Sequence, residues 1–264
     1  MRKHRIIYDE YGQTGNRLFS YLDSIGWAIV NEGTVIILFP DKILAHFDRL
    51  RNSQFICLPL WGKGQFAWRI VRKLFYYNSV IQKFYKTRLS QKLGFYAGWN
   101  LRESMEYYPK VIPQIQELFV PNDDIKLPID SLFSVLRNDN GKTIIGVHIR
   151  RGDYKTAYEG KYWYEDSVYT FYMNQMQQLC PNSVFYISSN EKTSDEFLKF
   201  PLTDKPVNNA AGDLYALSQC DYIIGPPSTF NCWASFIGRV PLYTMFEPGN
   251  NITLASFKVM RSDE

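Results

Sequence analysis

Several things are missing from this chain of 264 residues, and each absence narrows what it does. No uninterrupted apolar run approaches the roughly 20 residues that a bilayer-spanning helix needs. The amino terminus, MRKHRIIYDEYGQ, has only Ile6, Ile7 and Tyr8 behind its basic residues, too short for a signal peptide's apolar region. The expectation is a cytoplasmic protein that neither crosses a membrane nor is exported. The four cysteines, Cys57, Cys180, Cys220 and Cys232, are far apart and form no CxxC pair. That spacing argues against a zinc site or a disulfide framework and fits small buried thiols in a reducing compartment. Internal repeats and low-complexity tracts are absent. So is any recognisable DNA- or RNA-binding motif, and nucleic acid is not an expected partner.

Negative charge is missing from one long stretch. Arg49 to Arg102 contains eleven Lys or Arg residues and no Asp or Glu, while the whole chain carries only +4, so the remainder is net acidic. Within the stretch, QFAWRIVRKLFYY (Gln65 to Tyr77) places Phe66, Ala67, Ile70, Val71 and Leu74 on one side of a helix. Arg69, Arg72 and Lys73 fall on the other side, with Trp68, Phe75, Tyr76 and Tyr77 beside them. Two readings stand open. In one, a basic amphipathic helix meets an anionic membrane surface or an anionic substrate. In the other, its apolar side packs into the core and its basic side is merely solvated.

What the chain does have is alternation of strand-like and helix-like segments, the pattern of an α/β fold with largely parallel sheets. HRIIYD (His4 to Asp9), the turn EYGQTG, the helix-like Asn16 to Gly33 and the strand TVIILF (Thr34 to Phe39) make one such unit. A second series opens at KTIIGVHI (Lys142 to Ile149) and runs through SVFYIS, DYIIG and VPLYT, with helix-like segments between. The polar, proline-containing segment Val120 to Lys142 separates the two series. The expected architecture is two α/β lobes facing across a cleft, residues 1–135 and 136–264, with ligands at the carboxyl ends of the strands.

One strand end stands out. GVHIRRGDY (Gly146 to Tyr154) ends an apolar run by presenting Arg150, Arg151 and Asp153 together, where α/β sheets bind ligands. One aspartate cannot neutralise two guanidiniums, so at least one is expected to meet an anion with the forked geometry of phosphate. The bland alternative pairs Arg151 with Asp153 and leaves Arg150 free. His148 adds a hydrogen-bonding group from the strand itself. GQTGN (Gly12 to Asn16), SNEK (Ser189 to Lys192) and PPSTFN (Pro226 to Asn231) also sit at strand ends. Glycines and helix N-termini there suit an anion, and Ser228 or Thr229 serves either to cap a helix or to touch phosphate.

These blocks carry a resemblance. GVHIRRGDY resembles the HxRRxD signature of the α-1,2-fucosyltransferases and their α-1,6- and protein O-fucosyltransferase relatives. GQTGNRLFSY is similar to that family's amino-terminal pattern, and DLYALSQCDYIIGPPSTFNCWASFIG (Asp213 to Gly238) to its third block. The resemblance implies a GT-B-like enzyme of two Rossmann-type lobes, an acceptor-side lobe and a carboxyl-terminal lobe that binds GDP-fucose. It implies transfer of fucose with inversion and without a metal, and no DxD motif occurs in the chain. By position it assigns Arg150 to the β-phosphate and His148 to the nucleoside. It assigns Asp213 to guanine, and Ser228 and Thr229 to the pyrophosphate, with Gly15, Asn16 and Arg151 also on the donor. Arg17 stands where the family's usual glutamine would be.

An inverting transfer needs a base within reach of the acceptor hydroxyl. Glu10, Glu159 and Asp153 are the candidates, and the sequence does not choose among them. The expected acceptor is a glycan hydroxyl, in α-1,2 linkage, on a lipid-linked or surface-polysaccharide precursor. Rival readings are a glycosyltransferase for another nucleotide sugar and a non-catalytic GDP- or glycan-binding protein.

Overall fold

Short runs of β-branched residues form the strands, and glycine-bounded amphipathic runs form the helices between them. A computed structural model describes residues 3–59 and 66–260, with the side chains of 67, 68, 139 and 140 also left aside. The chain divides into two units, Met1–Asn122 and Asp123–Glu264.

The first unit holds β1 (His4–Ile7), α1 (Thr14–Val30), β2 (Thr34–Ile37), α2 (Asp48–Arg51) and β3 (Ile56–Cys57). It continues with α3 (Phe66–Val71), α4 (Ser79–Tyr85), α5 (Arg88–Lys92), β4 (Phe95–Tyr96), α6 (Gly98–Leu101) and α7 (Ile112–Leu118). Its sheet is parallel throughout, in the order β3-β2-β1-β4. Leu18, Leu22 and Ile25 of α1, buried at helical spacing, cover it. Buried Arg5 on β1 is boxed by the rings of Trp27, Tyr96 and Tyr107, 4.7–5.0 Å away, with Asp23 as its counter-ion.

The basic helix departs from the expected regular one. After Val71 it widens into a π-helix, Arg72–Tyr76. Arg72 lies against Glu10 there, and the Tyr76 hydroxyl donates to the Glu10 carbonyl. Phe66, Ile70 and Leu74 are exposed rather than packed into a core, so the core-packing alternative fails for them. Gln65 and the side chains of Ala67 and Trp68 lie outside the described residues.

The second unit holds α8 (Asp123–Asn140), β5 (Thr143–Ile149), α9 (Asp166–Leu179), β6 (Ser183–Ser189), α10 (Ala210–Ser218), β7 (Tyr222–Gly225), α11 (Thr229–Gly238) and β8 (Leu242–Thr244). The sheet is again parallel, in the order β6-β5-β7-β8. β5 is buried from Ile144 to Ile149 and pairs with β6 over its whole length. Ile145, Val147 and Ile149 meet Tyr169, Tyr172, Met173 and Met176 of α9 in the core.

The division falls before α8, not at residues 135/136. The segment expected to be a linker is a helix belonging to the second unit. The Tyr215 hydroxyl donates to Asp130, and Arg137 pairs with Asp221. The helix-like reading of EKTSDEFLKF shrinks to a short 3-10 turn, Asp195–Lys199.

Candidate active site

In the second unit the chain leaves β5 for β6 on one side and returns to β7 on the other. The carboxyl ends of β5 and β7 therefore flank the topological switch point, where open parallel sheets take ligands. β5 delivers His148 and, just past its end, Arg150. β7 delivers Gly225 and the turn Pro226–Ser228 that starts α11. A Cβ on Gly225 would lie 2.4 Å from the Asn231 Nδ2 and 3.2 Å from the His148 Cβ, so only glycine lets the two strand ends and α11 close together. Fully buried Asn231 fixes the turn, its Nδ2 donating to the Pro226 carbonyl at 2.9 Å.

Arg150 keeps 17% of its side chain exposed, and its Nη2 lies 2.7 Å from the Asp153 Oδ1. The Tyr154 ring sits 5.5 Å from its guanidinium, and the Tyr154 hydroxyl donates to the Pro227 carbonyl at 2.6 Å. One residue thus ties Arg150 to the turn that presents Ser228. Burial raises the Tyr154 hydroxyl's pKa, opposed by Ser228 and Arg150, so it stays protonated as a donor. Ser228 caps α11, its Oγ accepting from the Phe230 N–H at 3.3 Å, and Thr229 is the first residue of the helix. Capping is observed, and the remaining N–H groups of that first turn give the site a positive end.

His148 is buried, with its ring stacked on Phe230 at 5.1 Å and 30°. Burial, then the nearby Arg150 charge, pushes its pKa down to about 3, so the imidazole is neutral near pH 7. Its Nδ1 is buried with no hydrogen-bond partner among the described residues. A guanidinium, a neutral imidazole stacked on an aromatic ring and a helix N-terminus thus share the strand ends, groups whose chemistry suits an anion. Phe230 was not singled out from sequence; its only signal was its place in the run STF at the helix start.

The family model for glycosyl transferase family 11 matches residues 56–244. The chain belongs to this family. Among solved structures it is similar to NodZ α-1,6-fucosyltransferase co-crystallized with GDP, with TM-score 0.53 and 17% identity over 92% of this chain and 95% of that one. It is also similar to POFUT1 in complex with GDP-fucose, with TM-score 0.53 and 11% identity over 89% of this chain and 93% of that one. No curated protein matches it. The fold is that of the GT-B-like fucosyltransferases, and the resemblance carried by HIRRGD holds.

Within this family-11 glycosyltransferase the arginine pairing is the reverse of the bland alternative. Asp153 pairs with Arg150, while Arg151 is committed to Asp166 and stacks near Trp163. Arg151 is thereby a brace for the loop. SNEK also grips that loop instead of offering charge to an anion. The Asn190 Oδ1 accepts from the Arg151 N–H and the Glu191 Oε1 from the Gly152 N–H, each at 2.9 Å. Asp213 is buried and accepts from Tyr186 at 2.8 Å and from Lys205 at 2.7 and 3.0 Å. Burial raises its pKa and Lys205 opposes the rise.

The first unit's residues form a separate set. Gln13 precedes α1 without a side-chain cap, so Gly15 and Asn16 belong to an uncapped first turn. Arg17, at the family's glutamine position, pairs with Glu10 at 2.9 Å and with Asp41 at 3.6 Å. The Arg72 Nε approaches the Glu10 Oε2 at 2.9 Å as an ion pair without hydrogen-bond alignment. Of the three candidate bases, Glu10 is held by two arginines and Asp153 by one. The exposed Glu159 side chain makes no hydrogen bond or ion pair among the described residues, and the residue sits at φ 58° beside Tyr158 at φ 51°. No group of His, Cys, Asp and Glu able to hold a metal occurs among the described residues.

Proposed function

We propose that this glycosyltransferase moves fucose from GDP-fucose to a glycan hydroxyl with inversion, without a metal, and in α-1,2 linkage on a surface-polysaccharide or O-antigen precursor. The observation that carries the reading is Arg150, placed at the switch point and joined through Tyr154 to the Ser228 turn. The two similar structures hold GDP and GDP-fucose. In this reading Arg150 and the first turn of α11 take the pyrophosphate, and His148 and Phe230 line the nucleoside side. The acceptor oxygen bonds to the fucose anomeric carbon as its bond to the phosphate oxygen breaks. The acceptor proton goes to Glu159, and the charge gained by GDP is met by Arg150.

The precursor would be met at a membrane. No described helix is long and apolar enough to cross one. Of the twenty exposed large apolar residues among those described, eight fall between Phe66 and Leu93, inside the stretch without acids. An apolar face rimmed by Arg69 and Lys73 fits an interfacial seat on anionic lipid.

Calorimetric titration with GDP-fucose, GDP-mannose and UDP-sugars, followed by transfer assays, tests the donor assignment. GDP-fucose binding with release of GDP on adding acceptor is expected. Tight binding of a UDP-sugar alone would overturn it.

A further inference from the structure

The loop that follows the arginines carries more than the donor site uses. From Arg150 outward a row of rings runs across the second unit. Tyr154 meets Tyr158 at 6.4 Å, Tyr158 meets Tyr162 at 5.6 Å, and Tyr162 meets Phe246 at 6.4 Å, all edge to face. Two members are open to solvent: Tyr158 is 68% and Phe246 58% exposed. A contiguous row of rings open to solvent and bordered by polar groups is the kind of surface that takes a ligand.

The backbone beneath is strained to hold them there. Tyr158 and Glu159 occupy successive left-handed conformations, φ 51° and 58°, followed by Gly160 at φ 77°. A bulky residue in that region is unfavourable and persists only where the surroundings over-determine it. They do so here, because both ends of the row are tied to β-strand ends. The Tyr154 hydroxyl holds the Pro227 carbonyl at 2.6 Å, after β7. The Tyr164 hydroxyl holds the Met245 carbonyl at 2.6 Å, and Tyr172 holds Glu247 at 3.2 Å, both after β8. Interleaved with the rings stand exposed Lys155, Glu159 and Lys161, so hydrogen-bonding groups border an apolar surface.

We infer that Tyr154, Tyr158, Tyr162 and Phe246 form a platform by which the second unit, and not the acceptor-side lobe alone, contributes to the acceptor site: a pyranose ring of the glycan lies with its C–H face on the aromatic rings and its hydroxyls toward the charged rim. A sugar ring has this two-sided chemistry, apolar across one face and hydroxylated around its edge, and rigid aromatic rings with a few polar groups match it. The tethers at both ends of the row limit the loop's freedom, which lowers the entropy lost on binding. Continuity with Arg150 places a seated ring beside the donor's leaving group. The inference rests on the transfer of sugar to a glycan and names where that glycan sits.

Saturation-transfer NMR on the full chain with GDP tests it, using methyl β-D-galactopyranoside, methyl β-D-glucopyranoside and methyl α-D-mannopyranoside as probes. At least one pyranoside is expected to receive saturation, strongest on its ring C–H protons. The signal should fall at least severalfold in Tyr158→Ala/Phe246→Ala and return in Tyr158→Phe/Phe246→Tyr, while GDP affinity stays at the wild-type value. The inference is overturned if no pyranoside is saturated by the wild type, if the signal survives the double alanine change, or if that change weakens GDP instead, which would make the row a nucleotide wall. Failure of GDP to bind at all would remove the donor reading and leave the pyranoside result to stand alone.

Discussion

Arg150 and Asp153 form an ion pair across one turn of the loop, with 2.7 Å between Nη2 and Oδ1 and the guanidinium still reached by solvent. The cation is therefore held in place by its carboxylate partner, and in the proposed reading its planar fork turns two parallel donors to a phosphate. Replacing it tests whether that geometry matters or only the charge. Arg150→Ala should lower kcat by about 10² to 10³-fold, the usual loss on removing one preorganised donor. Arg150→Lys should be nearly as impaired, because an ammonium is a point charge. Steady-state transfer rates with unchanged circular dichroism check both, and wild-type turnover by Arg150→Lys would refute the assignment.

In the proposed reading Asp153 competes with the donor for that guanidinium. Asp153→Asn should tighten GDP severalfold in calorimetric titration by removing a negative charge beside the pyrophosphate. Weaker binding would mean that the carboxylate orients Arg150, and that the loss of orientation outweighs the relief of repulsion.

The sequence made the sheets legible because short apolar runs rich in β-branched or aromatic residues, such as Thr143–Ile149 and Ser183–Ser189, have few alternatives to a buried parallel strand. It also placed Arg150, His148 and Ser228 at strand or helix ends, since motif position along a strand is a local property. Partner choice was not legible. Whether Arg151 meets Asp153 or Asp166 depends on where α9 packs, a tertiary fact with no trace in the spacing. The domain boundary failed for a related reason. A polar segment with Pro128 reads as a linker, yet the α8 helix continues through that proline with Asp130 and Arg137 tied to the second unit. The exposed apolar face of α3 shows the same limit, because amphipathic spacing tells which residues share a side but not what that side meets.

His148 links the site to pH. Burial holds its folded pKa near 3, well below the ordinary 6.5, so only the unfolded chain takes up this proton as pH falls through that window. The neutral imidazole's contribution is complete above about pH 6.5 and declines toward pH 3, at about 1.4 kcal/mol per pH unit for one proton. Urea unfolding at a series of pH values should show His148→Gln with a shallower acid-side slope than wild type. Equal slopes would mean that His148 protonates normally in the folded protein.

Glu159 and Glu10 can be separated by what each loses. Glu159→Gln should keep donor affinity and thermal stability while kcat falls about 10² to 10⁴-fold, as expected for a general base. Glu10→Ala should act the other way, because it removes the buried carboxylate shared by Arg17 and Arg72 and leaves Arg17 the longer pair with Asp41. Breaking such a buried arrangement costs on the order of 3 kcal/mol. The melting temperature should drop, with turnover per folded molecule near wild type. The opposite pattern would move the base to Glu10.

The exposed apolar face between Phe66 and Leu93 can be tested against lipid directly. Ile70 and Leu74 are one helical turn apart, both open to solvent, and Arg69 and Lys73 beside them are exposed as well. A lipid surface would gain from both, burying the apolar side chains and adding about 1 kcal/mol for each cation near anionic headgroups. Because neither apolar side chain is packed in the core, Ile70→Asp/Leu74→Asp should leave folding and soluble-acceptor activity intact. It should lower flotation with phosphatidylglycerol-containing vesicles by about tenfold or more, since each buried aliphatic side chain is worth about 1.5–3 kcal/mol. Wild-type flotation should also weaken with added salt, as screening requires. If the wild type fails to float with anionic vesicles, or the double variant floats equally well, the basic stretch serves something other than a membrane.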